Sequence, residues 1–101
     1  MNSVYKYYVN PEGYGRFVHY LNRLIYAYNG IRIKSKILDN SILIVILNDH
    51  NDVCIRLYFD EYNKIVDSLT SKNYSSLCIR KFEYFIRATI FHKFYNSKFG
   101  G

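Results

Sequence analysis

The residues most often used in catalysis and metal binding are few in this chain and widely separated. Of the three histidines, His19 and His92 have no second His or Cys a few positions away, which is the spacing that metal sites usually show. His50 has a single one, Cys54, and no further His or Cys stands beside that pair to complete a ligand set. Cys54 and Cys78 stand alone in the sequence, and in a reducing compartment they are expected to be free thiols. The sequence therefore predicts neither a metal ion nor a cofactor.

The carboxylates are explained more simply by local structure than by catalysis. Asp39, Asp49 and Asp52 lie among turn-forming residues, and Asp60 precedes an amphipathic stretch as a helix N-cap does. Gly13-Tyr14-Gly15 lacks the third glycine or the lysine of a phosphate-binding loop. We therefore predict that the protein is not an enzyme. A hydrolase in which folding brings a histidine to a carboxylate is the alternative.

The C-terminal part of the chain combines positive charge with aromatic rings. Between Lys72 and Lys98 six residues are Lys or Arg, and Glu83 is acidic. Cations neutralise phosphates and aromatic rings stack on bases, so direct nucleic-acid binding is one predicted function. A solvated helix face with an internal Glu83–Arg87 pair is the alternative interpretation. The candidate residues for nucleic-acid or partner binding in this segment are Arg80, Tyr84, Arg87, Phe91 and Lys98.

Length and composition describe one small domain over residues 1–101. Half of the residues are hydrophobic, and 12 Tyr with 7 Phe make the chain rich in rings, which favours half-buried positions or an interface. The formal charge of +6 favours nucleic acid or an acidic protein surface as partner. We find no signal-peptide pattern and no apolar run of membrane length, and so expect a cytoplasmic protein that does not contact the membrane.

Residue usage also carries information on origin. Phe, Tyr, Met, Ile, Asn and Lys, which AT-rich codons encode, account for 50 of the 101 residues, whereas Gly, Ala, Arg and Pro account for 14. In composition the chain resembles small orphan proteins of AT-rich viruses and mobile elements, such as viruses of hyperthermophilic archaea. The resemblance implies a viral or mobile-element protein acting in the cytoplasm of a host cell. It involves no motif and transfers no functional residue.

The aliphatic run at Ser41–Leu47 predicts the central strand of a sheet. The run is short, contains three Ile and one Val, and is flanked by polar residues, all of which favour a strand over a helix. On either side, Ile31–Ile37 and Val53–Phe59 alternate between apolar and polar residues, and short polar connections join all three runs. These features predict an antiparallel meander. Val4–Val9 is predicted as an additional first strand.

Helices are predicted before and after this sheet. A turn at Glu12–Gly15 should lead into a helix over Tyr14–Tyr28, and a second helix is expected over Glu61–Leu69. The segment from Leu77 to about Tyr95 has a helical pattern with Ser75 or Ser76 as its cap. A strand over Leu77–Phe85, in a ferredoxin-like arrangement, is the alternative. The predicted fold is α+β, with three or four antiparallel strands, helices on one face and an amphipathic C-terminal helix.

The predicted sheet has an unusual second face. The central strand contributes aliphatic side chains to it, and its neighbours contribute cations. Such a surface is expected to be covered by a second copy, a partner or the C-terminal helix. The main predicted function is accordingly a small binding protein, homodimeric, whose partner is a host protein or nucleic acid, for example nucleic-acid-handling or defence machinery. The residues concerned are Arg32, Lys34 and Lys36 as binding residues and Leu43, Val45, Leu47, Arg56 and Tyr58 as interface residues.

Overall fold

The computed structural model describes residues 9–96, which form three helices and three strands. In chain order the elements are α1 (Pro11–Ile25), β1 (Arg32–Ile37), β2 (Ser41–Leu47), β3 (Asp52–Tyr58), α2 (Phe59–Thr70) and α3 (Leu77–Ile90), which continues as a π-helical turn over Phe91–Asn96. The predicted α+β class and the C-terminal helix are confirmed. The strand predicted at Val4–Val9 lies outside the described residues, except for Val9, which packs half-buried against the core.

The sheet is an antiparallel meander in the order β1-β2-β3. Side chains of a strand alternate between its faces, so every second residue of β2 points to the helices. Ile42, Ile44 and Ile46 do so and are 0% exposed. Ile33 pairs with Ile46 and Ile55 with Ile44, which places both on the same inner face. The predicted meander and the predicted alternation of apolar and polar residues are therefore confirmed.

The first helix begins earlier than its hydrophobic pattern indicates. The Asn10 side chain caps it, because its Oδ1 accepts hydrogen bonds from the backbone N–H groups of Glu12 (2.8 Å) and Gly13 (3.2 Å). Pro11 occupies the first helical position, where its fixed φ and missing N–H cause no loss. The turn predicted at Glu12–Gly15 is therefore wrong, since these residues form the first helical turns.

The second helix follows β3 directly. The strand ends at Tyr58 and α2 begins at Phe59, so the expected N-cap role of Asp60 is wrong. Asp60 instead lies in the first turn, where a carboxylate stabilises the helix through its dipole. The Phe59 N–H donates to the carbonyl oxygen of Asn40 at 3.3 Å, which anchors the helix start to the β1–β2 hairpin.

Residues Leu77–Ile90 form a helix, so the alternative prediction of a strand over Leu77–Phe85 is wrong. Ser76 caps it, with its Oγ accepting from the Ile79 N–H at 3.4 Å. Ile79, Phe82 and Ile86 are all buried, and this spacing of three and four residues places them on one side of a helix. A strand would direct Ile79 and Phe82 to opposite faces. Phe85, which the pattern also placed on the buried side, is 49% exposed.

All three helices pack on the inner face of the sheet. Phe17 of α1 lies where they meet, with its ring centroid 5.0 Å from that of Tyr62 in α2 and 6.0 Å from that of Phe82 in α3. The buried residues of the helices and of β2 form one cluster. Because the helices occupy one side, none of residues 9–96 forms an element over the other face. No helix within that range is long and apolar enough to span a membrane.

Candidate nucleic-acid interface

A polar contact joins α1 to α3 on the helical side of the protein. The Tyr20 hydroxyl donates to Glu83 Oε2 at 2.8 Å, and the Tyr20 ring centroid lies 6.2 Å from that of Phe82. Burial, followed by the hydrogen bond to Glu83, raises the pKa of Tyr20 far above its usual value. The hydroxyl therefore stays protonated and continues to donate. This contact forms the floor of a groove between the two helices.

Tyr74, in the connection between α2 and α3, lines the same groove from its end. With Tyr20 and Arg23 it borders two shallow hollows, one of about 300 Å³ toward α3 and one of about 120 Å³ toward α1. The other lining residues are Leu24, Glu83 and Arg87 in the first hollow and Arg16, His19 and Leu69 in the second. Because Tyr74 is 57% exposed, much of its ring remains accessible to a ligand.

The groove is rich in arginine, and the carboxylate that lines it, Glu83, is already engaged. Arg16 pairs with Glu12 at 3.6 Å, and Arg87 pairs with Glu83 at 3.8 Å, each within one helix. Glu83 also accepts the Tyr20 hydrogen bond, so its charge is offset on two sides. Arg23 has no carboxylate partner among residues 9–96. We call the surface formed by Arg16, Arg23, Tyr74 and Arg87 the α1–α3 groove.

Of the site residues predicted on the last helix, Arg87 is the one that lines this groove. Arg80 and Tyr84 are exposed on the outer side of α3, and the Tyr84 side chain is 76% exposed. Phe91 is also exposed, and its ring makes an edge contact with His92 at 5.5 Å. Lys98 lies outside the described residues.

The groove also contains residues that sequence reasoning did not assign to a site. Arg16, His19 and Arg23 follow the i, i+3, i+7 spacing of one helix face, which indicates that they share a surface but not what lies beside it. Tyr74 lies in a short polar stretch between two predicted helices, a position that by itself indicates a loop. The signal that could have suggested a site is this basic row on α1, considered together with Arg80 and Arg87 on α3.

The predicted sheet residues lie on the opposite side of the protein from the helices. Arg32, Lys34 and Lys36 pair with Leu47, Val45 and Leu43, and Leu43 also pairs with Arg56, so the aliphatic row lies between two rows bearing cations. We call this surface the outer sheet face. Its binding and apolar residues are Arg32, Lys34, Lys36, Leu43, Val45, Leu47, Cys54, Arg56 and Tyr58. At its two ends lie Asp52, which pairs with Leu47, and the buried Ser41, which pairs with Tyr58. The structure does not bring this surface together with Arg87.

His50 lies close to two carboxylates in the turn between β2 and β3. It lines an open hollow of about 320 Å³ together with Asp49 and Asp52. Asp49 pairs with Arg32 at 3.6 Å, and Asn48 Oδ1 accepts hydrogen bonds from the backbone N–H groups of His50 and Asn51. These contacts are those of a side-chain-capped turn. Among residues 9–96 no group of three His, Cys, Asp or Glu side chains is arranged to hold a metal ion.

A wider apolar hollow of about 430 Å³ lies between α2 and α3. Its lining includes Leu57, Ile65 and Phe85, with Cys78 at its edge. The Cys78 Sγ lies 3.2 Å from Ser68 Oγ, and both cysteines are free thiols, as predicted. Burial opposes the charged form of this thiol, but hydrogen bonds from Ser68, Ser76 and the Ile79 N–H outweigh it and lower the pKa of Cys78.

These surfaces differ in the chemistry that they offer a ligand. The outer sheet face presents aliphatic side chains between cations, and the apolar hollow presents hydrophobic side chains and a thiol. The α1–α3 groove offers planar guanidinium groups beside an exposed ring, which suits phosphates and bases. Comparison with protein-family models, with curated proteins and with solved structures gave no match, so these geometries are the basis for assigning function.

Proposed function

We propose that this chain is a non-enzymatic nucleic-acid-binding protein that holds its ligand in the α1–α3 groove. The observation that carries the proposal is that Tyr74 shares a concave surface with Arg23 of α1 and Arg87 of α3. The formal charge of +6 supports a polyanionic ligand. A nucleic-acid strand that lies in this groove would contact α1 and α3 at the same time.

Arg23 is well suited to bind a phosphate. It has no carboxylate partner within residues 9–96, so binding does not have to break an ion pair. Arg16 has to give up only an exposed ion pair, whose contribution is about 0–1 kcal/mol. The Arg87–Glu83 pair is half-buried on the Glu83 side, but Glu83 keeps the Tyr20 hydrogen bond when Arg87 turns to a phosphate. Arg16 and Arg23 are seven residues apart on α1, or about 10 Å along the helix axis. That separation lets them contact different phosphates of one strand.

Tyr74 makes single-stranded DNA or RNA the preferred ligand. Its exposed ring provides a surface on which an unpaired base stacks, and such stacking contributes roughly 1–3 kcal/mol per base. A base inside a duplex is already stacked and cannot use this surface. The groove therefore supports binding of single strands with little sequence preference.

Fluorescence anisotropy with labelled oligonucleotides of about 15 nucleotides tests this function. The ligands are oligo-dT, oligo-U and a duplex of equal length, titrated between about 50 and 200 mM salt. The wild type should bind the single strands more tightly, with affinity falling as salt rises. Replacing both Arg23→Gln and Arg87→Gln should weaken binding and reduce the salt slope by about 1.4, or roughly 0.7 for each phosphate that is no longer neutralised. Tyr74→Leu should weaken binding without changing that slope.

A charge-matched control separates the groove from net charge. Lys34→Gln with Lys36→Gln also removes two cations, but from the outer sheet face, and should change affinity much less. Equal losses in the two double variants would show that binding follows total charge and would contradict the groove. Absence of binding by the wild type at low salt would refute the function itself. Both double variants alter exposed side chains, so circular dichroism should show an unchanged fold.

A further inference from the structure

The outer sheet face is a second surface, which the nucleic-acid proposal does not use. Leu43, Val45 and Leu47 are only half-buried there, although a row of this kind on a central strand is normally covered. The apolar sides of all three helices belong to the cluster on the inner face. The predicted alternative, in which the C-terminal helix covers the aliphatic row, is therefore wrong for α3.

The charge of this face favours an acidic partner. Lys34 and Lys36 are exposed and have no carboxylate within ion-pair distance among residues 9–96. On the other side of the aliphatic row, Arg56 is exposed and donates to the neutral Ser41 Oγ at 3.3 Å. Arg32 is already paired, with Asp49. Three cations on two sides of an apolar row thus remain available to carboxylates.

The dimensions of the face match one helix. β1 and β3 flank β2 at about 4.8 Å each, which places their cations about 10 Å apart. An α-helix with its side chains is about 10–12 Å wide. Seven residues of β2 extend about 23 Å, or roughly four helical turns. A helix lying along β2 can therefore place apolar residues on Leu43, Val45 and Leu47 and carboxylates beside the cations.

A second copy of the chain fits this face less well. A helix and a second copy would cover the same area of roughly 23 Å by 15 Å, so area does not distinguish the two occupants. Charge does, because two such faces bring eight Lys and Arg side chains close together, which opposes association. Nucleic acid is a poorer occupant as well, because the centre of the face is aliphatic and Tyr58 is its one ring.

We propose that the outer sheet face binds an acidic amphipathic helix of a partner protein, with the apolar stripe of that helix on Leu43, Val45 and Leu47. Carboxylates on one side of the stripe pair with Lys34 and Lys36, and those on the other side pair with Arg56. The partner helix thus has Leu-like residues at i, i+3, i+4 and i+7 and Asp or Glu next to them.

Two synthetic helical peptides of about 18 residues, long enough to follow β2, test this proposal. One carries a Leu stripe flanked by Glu, and the other has Gln in place of every Glu. Titrated into isotope-labelled protein, the Glu peptide should shift the amide resonances of the sheet around Val45. Its affinity should fall with salt, and the Gln peptide should bind at least about tenfold more weakly.

Substitutions test whether the Glu peptide binds at the outer sheet face. Lys34→Gln with Lys36→Gln should weaken the Glu peptide about five- to tenfold, the effect of losing two surface ion pairs. The matched control, Arg23→Gln with Arg87→Gln, should leave its affinity unchanged. Equal binding of the two peptides, shifts confined to the helices, or binding of neither peptide overturns the proposal.

Two further results would assign the face to another occupant and also overturn the proposal. One is a dimer in size exclusion with light scattering that Val45→Glu dissociates, because the predicted homodimer would then occupy this face. The other is loss of oligonucleotide binding in the Lys34 and Lys36 variant alone. The variant with Arg23→Gln and Arg87→Gln tests the nucleic-acid function separately. Failure of one proposal can therefore be distinguished from failure of the other.

Discussion

The Tyr20 hydroxyl donates a 2.8 Å hydrogen bond to the Glu83 carboxylate and joins α1 to α3 across 63 positions of sequence. Tyr20→Phe removes this bond and leaves Glu83 with its half-buried ion pair to Arg87. Because a hydrogen bond to a charged group contributes roughly 1.5–3 kcal/mol and this one is partly buried, we expect a loss of about 1–2 kcal/mol in the free energy of unfolding. Urea unfolding followed by circular dichroism measures it.

The control for that change is Tyr84→Phe, which removes a hydroxyl from the solvent-facing side of α3. Tyr84 is 76% exposed, so the change should stay below about 0.5 kcal/mol. If both variants lose the same stability, the hydrogen bond to Glu83 contributes nothing specific. A loss confined to Tyr20→Phe, together with weaker oligonucleotide binding, would show that the floor of the groove also positions Arg23 and Arg87.

Two buried tyrosines should make the fold sensitive to alkali. Burial, with a smaller effect of Tyr14, raises the pKa of Tyr62 to about 12, and Tyr20 is shifted in the same direction. In the unfolded chain both titrate near pH ~10. Above that pH the unfolded state binds fewer protons than the folded state, so the contribution of these groups to stability is complete below pH ~10 and decreases as pH rises.

The slope of stability against pH measures this effect. Between about pH 10 and 12, each of the two tyrosines should lower the free energy of unfolding by up to ~1.4 kcal/mol per pH unit. Tyr62→Phe should remove one such contribution, giving a flatter curve in that window and no change of slope near pH ~8. An alkaline slope that is the same in wild type and Tyr62→Phe would contradict the raised pKa.

The sheet could be predicted from the sequence in more detail than the groove could. Strand periodicity divides residues into two faces, so the alternation of Ile33 with Arg32 and Lys34 was enough to predict both rows and the outer sheet face. Helical periodicity predicts which side of a helix is buried but not its neighbour. The contact of Tyr20 with Glu83 depends on the packing of α1 against α3, which no local pattern contains.

The start of α1 was mispredicted because glycines usually indicate a turn. Gly13 has a packing reason to be glycine, since a Cβ on it would lie 3.0 Å from Val66 Cγ1 in α2. Gly15 has no heavy atom within 4 Å of its would-be Cβ and is exposed. Two glycines two positions apart in one helix therefore restrict the fold in different ways, one through packing and the other through backbone entropy.

Alanine substitutions should separate these two effects. Gly15→Ala should raise the free energy of unfolding by about 0.5–1 kcal/mol, because alanine loses less backbone entropy in a helix. Gly13→Ala gains the same propensity but crowds Val66, and overpacking costs roughly 1–3 kcal/mol, so we expect a net loss. In a Val66→Ala background the penalty for Gly13→Ala should disappear. A gain in stability for Gly13→Ala in the wild-type background would contradict the close approach of α1 to α2.

The hydrogen bonds around Cys78 predict that its thiol ionises more readily than an ordinary cysteine. Its Sγ lies 3.2 Å from Ser68 Oγ, and the hydroxyl stabilises the thiolate against the opposing effect of burial. In a Cys54→Ser variant, the pH dependence of iodoacetamide alkylation reports the pKa of Cys78 directly. Ser68→Ala should move that profile to higher pH, because the charged form loses a donor, whereas Ser75→Ala in the loop between α2 and α3 should not.

Ser68 is a better test of this thiol than Ser76, which also contacts Cys78. The Ser76 Oγ caps α3 through the Ile79 N–H, so Ser76→Ala would lower stability by about 1 kcal/mol and disturb the thiol indirectly. Ser68→Ala removes a hydroxyl that also accepts from Ser76 Oγ at 2.9 Å, but the hydrogen bond from the Ile79 N–H to Ser76 Oγ, which is the cap itself, does not involve Ser68. An unchanged alkylation profile in Ser68→Ala, with the fold intact, would show that the helix start alone determines the acidity of Cys78.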